Sequence, residues 1–251
     1  MSRSTLATKL TLIISLLLLL ATWQVGAILL DAQVILPTVG KTVEAFVQLL
    51  KFKPLSVNIL TTVSRSLKSF LIILISGTIL GILAGYFKLI DAFLKPFLVI
   101  CKATPVMAII LLAFIWFSSG TVPLFSAFLM GFPIMFVQME RGVDQISKEL
   151  KEMSQLFAFS KKDRLFYVII PSLLPSIITG SKASLSMVWK VVIAAEVLTV
   201  PKYGVGSRMQ LAQVNLETAQ VLAWTIIAIL LTAIGDLVFS LLLKALERVV
   251  K

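Results

Sequence analysis

Uncharged apolar runs alternate with short polar segments along almost the whole chain, and the runs are long enough to cross a membrane. No charge occurs from Leu10 to Leu30, and Arg3 and Lys9 precede that run. A helix near 10–30 therefore starts in the cytoplasm and ends outside. Its uncharged length exceeds that usual for the apolar part of a signal peptide, and further spans follow, which favours a retained helix. Residues 31–68 are mixed, carrying Asp31, Lys41, Glu44, Lys51, Lys53, Arg65 and Lys68. They predict an outer segment with a surface helix around Val43 to Leu50. The next uncharged run gives a helix near 69–87. Within it Gly77, Gly81 and Gly85 recur every four residues, beside Ala84. They lay a strip without side-chain bulk down one face, where another helix can pack closely.

Lys88, Asp91, Lys95 and Lys102 mark a return to the cytoplasmic side. Ala103 to Met139 holds no charge, a stretch too long for one span of about 20 residues. Ser118-Ser119-Gly120-Thr121, with Pro123, supplies the turn between helices near 96–117 and 122–139, its tip outside. A polar loop over 140–172 follows. A fifth helical region near 165–196 is interrupted by Pro171 and Pro175 and carries Lys182, Lys190 and Glu196. An outer link, Pro201 to Gly206, leads to a sixth span near 218–238. The expectation is an all-α polytopic membrane protein with about six transmembrane helices, residues 1–251 forming one domain.

Composition agrees. The 251 residues are 59% hydrophobic and 14% charged, with a mean hydropathy of +1.02, outside the range of ordinary soluble domains. The 23 Lys and Arg against 12 Asp and Glu give +11. On this topology 14 of the basic residues face the cytoplasm, seven face outward and two lie in the fifth span. That bias places both termini in the cytoplasm and makes the charge a topology marker, not a sign of a nucleic-acid partner. The absence of His removes imidazole acid–base chemistry, His-dependent nucleophiles and most transition-metal sites. Cys101 alone forms no internal disulfide.

Catalytic motifs fail on inspection. Gly40-Lys41-Thr42 lacks the earlier Gly of a phosphate-binding loop, since Ile35 stands there. Gly204-Val205-Gly206 lacks the third Gly of a dinucleotide fingerprint. Asp236 is the only Asp in an apolar span, so an aspartyl pair is missing. No catalytic or metal-ligating residue is assigned.

The cytoplasmic loop is the informative segment. Glu149 to Phe157 can form a short helix with Leu150, Met153, Leu156 and Phe157 on one face. Ser160 with Asp163 is a capping pair for a second helix, and Pro171 bends the chain as it enters the bilayer. The apolar face can lie on lipid or fill a groove on a soluble partner.

Glu152-Met153-Ser154, then Ala158, then Val168, Ile170 and Pro171 keep the spacing of the EAA motif, and the chain thereby resembles ABC-importer permeases. Glu152 and Pro171 match identically. Met153 and Ser154 replace two alanines, and Ala158 replaces a Gly with another small, helix-compatible residue. Pro171 to Gly180, Trp189 to Glu196, Gly204-Val205-Gly206 and Gly235-Asp236 are similar to the nitrate, sulfonate and taurine branch. Lys182 stands where that branch often has Arg. Lys102-Ala103-Thr104-Pro105 resembles its approach to the third helix, without the second Pro expected near Ile109.

The resemblance implies a type I importer permease in the bacterial inner membrane, multi-pass, with two copies pairing as a homodimer around a pathway. It implies two ATPase subunits below, holding ATP and Mg, an external substrate-binding protein, and no cofactor bound by this chain. Glu152, Met153, Ser154, Phe157, Ala158, Phe159 and Ser160 would form the coupling helix and its exit, with Pro171 passing motion to the fifth span. The solute would be a small anion such as nitrate, a sulfonate or taurine.

Lys182, Lys190 and Glu196 would be costly facing lipid, so each is a candidate for the pathway, an interface or the membrane edge. Around a continuous helix, Lys182 and Glu196 are about 40° apart and Lys190 and Glu196 about 120°. Lys182 can also snorkel to the cytoplasmic surface. Lys190 can meet an anion or neutralise Glu196. Read without the resemblance, the same residues also fit an ATP-independent channel, an ion-coupled carrier or a scaffold subunit.

Overall fold

A computed structural model describes residues 3–250, with side chains from 10 to 245 apart from Lys151 and Lys161. The side chains of Arg3 and Lys9, which set the expected direction of the first helix, lie outside the described residues, as do those of the tail beyond Ala245. The chain order is α1 (Arg3–Leu30), α2 (Val39–Leu50), α3 (Leu55–Tyr86), α4 (Lys88–Ala103), α5 (Val106–Trp116) and α6 (Val122–Asp144). There follow α7 (Lys148–Leu156), α8 (Lys161–Asp163), a π-helical turn (Arg164–Ile169), α9 (Ile170–Thr199), α10 (Val205–Val214) and α11 (Thr218–Val250). Five helices are long and apolar enough to span a membrane, or six if α4 and α5 count as one broken span.

Helices α3, α6 and α9 form the centre, packing through Ile73, Met135, Phe136, Met139, Leu173, Val188 and Val192. In lipid, burial of apolar surface gives little drive for helices to associate, so close packing and polar contacts must supply it. The glycine strip of α3 provides the closeness. A Cβ on Gly77 would stand 2.8 Å from Met135 Cβ, one on Gly81 2.7 Å from Met139 Cβ, and one on Gly85 2.6 Å from Val143 Cβ. All three neighbours belong to α6. Across the same helix pair, Ser69 Oγ donates to the Leu124 carbonyl at 3.0 Å.

By contrast α1 is apolar on every side and buries only Ala27 among its described side chains, as expected of a helix surrounded by lipid. Its outer end is tied to α2. Trp23 Nε1 donates to the Pro37 carbonyl, and Gln24 Oε1 accepts from the Val39 N–H, both at 3.0 Å.

Several boundaries differ from the sequence expectation, including a third helix that already starts at Lys88 and a last helix that runs on to Val250. The second span begins at Leu55, not near 69, because Asn58, Thr62, Arg65 and Ser69 lie on one inward face and find hydrogen-bond partners inside the protein, with Ser66 buried beside them. The expected rod over 96–117 is instead two helices bent by 106°. Thr104 and Pro105 are both extended, with ψ of 128° and 136°; the pre-proline position disfavours helix and Pro105 has no N–H to continue one. The outer link after α9 contains a further helix, α10, which sequence reading left as a connection.

Candidate functional site

The loop between α6 and α9 is built around α7. Ser147 caps its start, its side chain accepting from the Leu150 N–H at 3.2 Å, with Glu149 in the first turn favouring the helix dipole. Its end is a Schellman motif: the Phe159 N–H donates to the Ser154 carbonyl and the Ala158 N–H to the Gln155 carbonyl, each at 3.0 Å. Such a cap needs a left-handed residue, and Ala158 adopts φ of 50°. This corrects the reading of position 158 as helix-compatible. It lies one residue beyond the helix cap, in the conformation that favours Gly, which gives a physical reason for Gly in the EAA pattern.

Turning the chain there exposes Leu156 and Phe157, at 85% and 72%. Glu152, Met153, Ala158 and Ser160 are also exposed, Phe159 is half-buried, and Ser154 is buried. Ser160 Oγ donates to Asp163 Oδ2 at 2.6 Å and accepts from the Asp163 N–H at 3.2 Å. Pro171 follows the π-helical turn, in which the Ile170 N–H reaches back to the Leu165 carbonyl. Inserting one extra residue per turn is how the helix accommodates a residue unable to donate. Val168 and Leu173 pack inward on either side of this join.

Within the membrane the candidates separate. Glu196 is fully buried and meets Arg65, with Nη1 at 2.7 Å from Oε1. Thr62 Oγ1 lies 2.8 Å from Oε2, and the Gly206 N–H donates to Oε2 at 3.1 Å. Arg65 also donates to the Tyr203 and Gly120 carbonyls, and Asn58 Oδ1 accepts from the Gly204 N–H. One carboxylate thus fixes α3, the 118–121 turn and the link into α10. At Gly204 and Gly206 that link leaves no room for a side chain. A Cβ on Gly204, whose φ is 155°, would lie 2.6 Å from the Glu196 carboxyl carbon, and one on Gly206 would lie 2.3 Å from the Ile193 carbonyl.

Lys190 does not join this network. It is exposed and borders an apolar cavity of about 610 Å3 between α9, α10 and α11, within electrostatic reach of Asp236. Lys182 is exposed nearer the inner end of α9. Sequence reasoning missed Asn58, Thr62 and Arg65. Their spacing of four and three residues, with Ser66 and Ser69, was the available signal: a polar stripe on one face of an apolar helix.

Residues 77–251 match the family described as "Binding-protein-dependent transport system inner membrane component". A Bacillus subtilis protein named as an aliphatic sulfonates transport permease is 28% identical over 233 residues, covering 92% of this chain and 82% of its own. The taurine transport system permease of Escherichia coli is 30% identical over 68% of this chain and 61% of its own. The nitrate import permease of Synechococcus elongatus is 24% identical over 58% and 53%.

Proposed function

The chain belongs to the family of binding-protein-dependent inner-membrane transport components, the ABC-importer permeases, and on that premise we propose that it carries a small anion, or a small solute bearing a sulfonate, across the inner membrane. It is a transport subunit, not an enzyme, and its family works with ATPase and substrate-binding partners. The proposed assembly has two copies of this chain around a shared pathway, two ATPases on the cytoplasmic side holding ATP and Mg, and a binding protein outside. A sulfonate, taurine or nitrate is the proposed solute class, by similarity to the relatives named above. No cofactor is assigned to this chain.

One observation carries the coupling role: α7 ends in a tight left-handed cap that turns Leu156 and Phe157 outward at the tip of a loop joining the two central helices α6 and α9. An apolar pair presented on a short, capped helix fits a groove on a soluble partner. Movement of α7 then reaches the core through the π-helical turn and Pro171. Lys190, beside an apolar cavity and outside any ion pair within 4 Å though within electrostatic reach of Asp236, is the proposed pathway cation, since a charge at membrane depth is retained where it meets a partner, water or solute.

Reconstitution tests the reading. The purified chain should hydrolyse no ATP, and hydrolysis coupled to uptake should require the ATPase and binding protein. Glu152→Ala should reduce the ATPase retained by the permease while the chain still inserts. Full retention of ATPase by that variant removes the coupling assignment. Unchanged uptake of every anion tested by Lys190→Met removes the pathway role.

A further inference from the structure

At the outer end, α2, α10 and the start of α11 enclose a second cavity, of about 430 Å3. Arg208 and Glu217 both line it, and neither is ion-paired; the Arg65–Glu196 bridge is the only ion pair among the described residues. Arg208 is half-buried and held in place. Its Nε donates at 3.3 Å to Oδ1 of the buried Asn58, and its guanidinium lies 5.6 Å from the centre of the Phe52 ring. A guanidinium has five N–H donors, so four remain without a partner among the described residues. That fork is shaped for two oxygens of one oxyanion.

Glu217 is fixed by its backbone. Its N–H donates to the Ala212 carbonyl at 2.9 Å and the Leu216 N–H to the Gln213 carbonyl at 3.0 Å, with Leu216 left-handed at φ of 59°. The α10 cap therefore sets the Glu217 backbone, and its exposed side chain lines the cavity. Gln48, Asn215 and Gln220 add amide groups, and Trp224 an apolar side.

We propose that this outer cavity binds a small zwitterion, its sulfonate or carboxylate on Arg208 and its ammonium on Glu217. A simple anion would satisfy the arginine and leave the exposed Glu217 carboxylate in the same cavity without a partner, a like-charge repulsion that solvent screens only in part. A ligand carrying both charges matches both walls. The consequence for transport rests on the importer reading, in which this is where a released solute first meets the permease; the binding itself does not.

Isothermal titration of the purified full-length chain in lipid nanodiscs tests it, with taurine, ethanesulfonate and ethylammonium as probes. Taurine should bind saturably, one per chain, and more tightly than either single-charge probe. Arg208→Gln and Glu217→Gln should each weaken taurine about tenfold or more, the scale of losing one charge-assisted contact. Glu217→Gln should also bind ethanesulfonate better than the native chain does. Should Arg208→Gln not fold, Arg208→Lys keeps the charge and removes the fork, and it too should weaken taurine.

Absence of saturable taurine binding overturns the proposal. So does ethanesulfonate binding as tightly as taurine together with indifference to Glu217→Gln, which describes a plain anion site. ATP-driven uptake by the full complex, with no zwitterion bound by the permease, refutes this cavity and leaves the importer reading standing. Taurine binding by a chain that recruits no ATPase does the reverse.

Discussion

Ala158 holds a conformation that an L-residue with a Cβ adopts at a cost of about 1 kcal/mol or more. Ala158→Gly should relieve most of it, less the part lost to the greater freedom of an unfolded glycine. The permease should then hold at least as much ATPase and melt no lower. Ala158→Val places a β-branched residue at positive φ, and the cap should open, lowering ATPase retention in the same pull-down. At Glu196 the cost is electrostatic. Its removal as Glu196→Ala leaves Arg65, whose side chain is 13% exposed, without its counter-charge, a loss of about 3–5 kcal/mol for buried pairs. Arg65→Met should destabilise similarly and expose the 201–206 link to protease. The double variant Arg65→Met with Glu196→Ala should lose less than the two single losses added together, measured as a thermal-stability cycle. The sequence made Glu196 conspicuous as a carboxylate in an apolar run. Its partner lies 131 positions away, and no local pattern pairs residues at that distance. Arg65 was therefore read as an outer-loop charge.

At the scale of elements, what was legible was whatever one helix records by itself. The glycine strip is local, and it lies against α6 because three missing side chains on one face permit no looser arrangement of comparable contact. Gly81→Val should therefore be costly: a Cβ there lies 2.6 Å from the Phe136 carbonyl, which is backbone and cannot move aside cheaply. A loss of about 1–3 kcal/mol is expected from overpacking, read as a lower melting temperature of the purified chain. Gly40→Ala is the control, since nothing lies within 4 Å of its Cβ, and it should change little. What was not legible were the joints. The break at Thr104-Pro105 and the π-helical turn before Pro171 answer the same deficiency, a missing N–H, in two ways. Proline reports the deficiency but not which remedy the surrounding helices impose. The early start of α3 was hidden for a related reason: polar residues at a helix start read as loop until their partners on α9 and α10 are known.

For the whole molecule, the proposed orientation rests on the basic residues, 14 on the α7 side against seven on the opposite side in the proposed topology, an excess of the kind that marks a cytoplasmic face. The geometry separates the two faces cleanly. The α1–α2 link, the 118–121 turn and the 200–217 region share one end, joined by Thr218 donating to the Val34 carbonyl and by Arg65 donating to the Gly120 and Tyr203 carbonyls. The loop over 145–163 occupies the other. Single cysteines placed in a Cys101→Ser background should report this directly. Ile35→Cys and Leu156→Cys use side chains that are 70% and 85% exposed, so reagent access does not depend on local opening. A membrane-impermeant maleimide applied to intact spheroplasts should label Ile35→Cys at once and Leu156→Cys only after lysis. The opposite pattern would put α7 outside, where no ATPase can reach it, and would end the coupling proposal together with the topology.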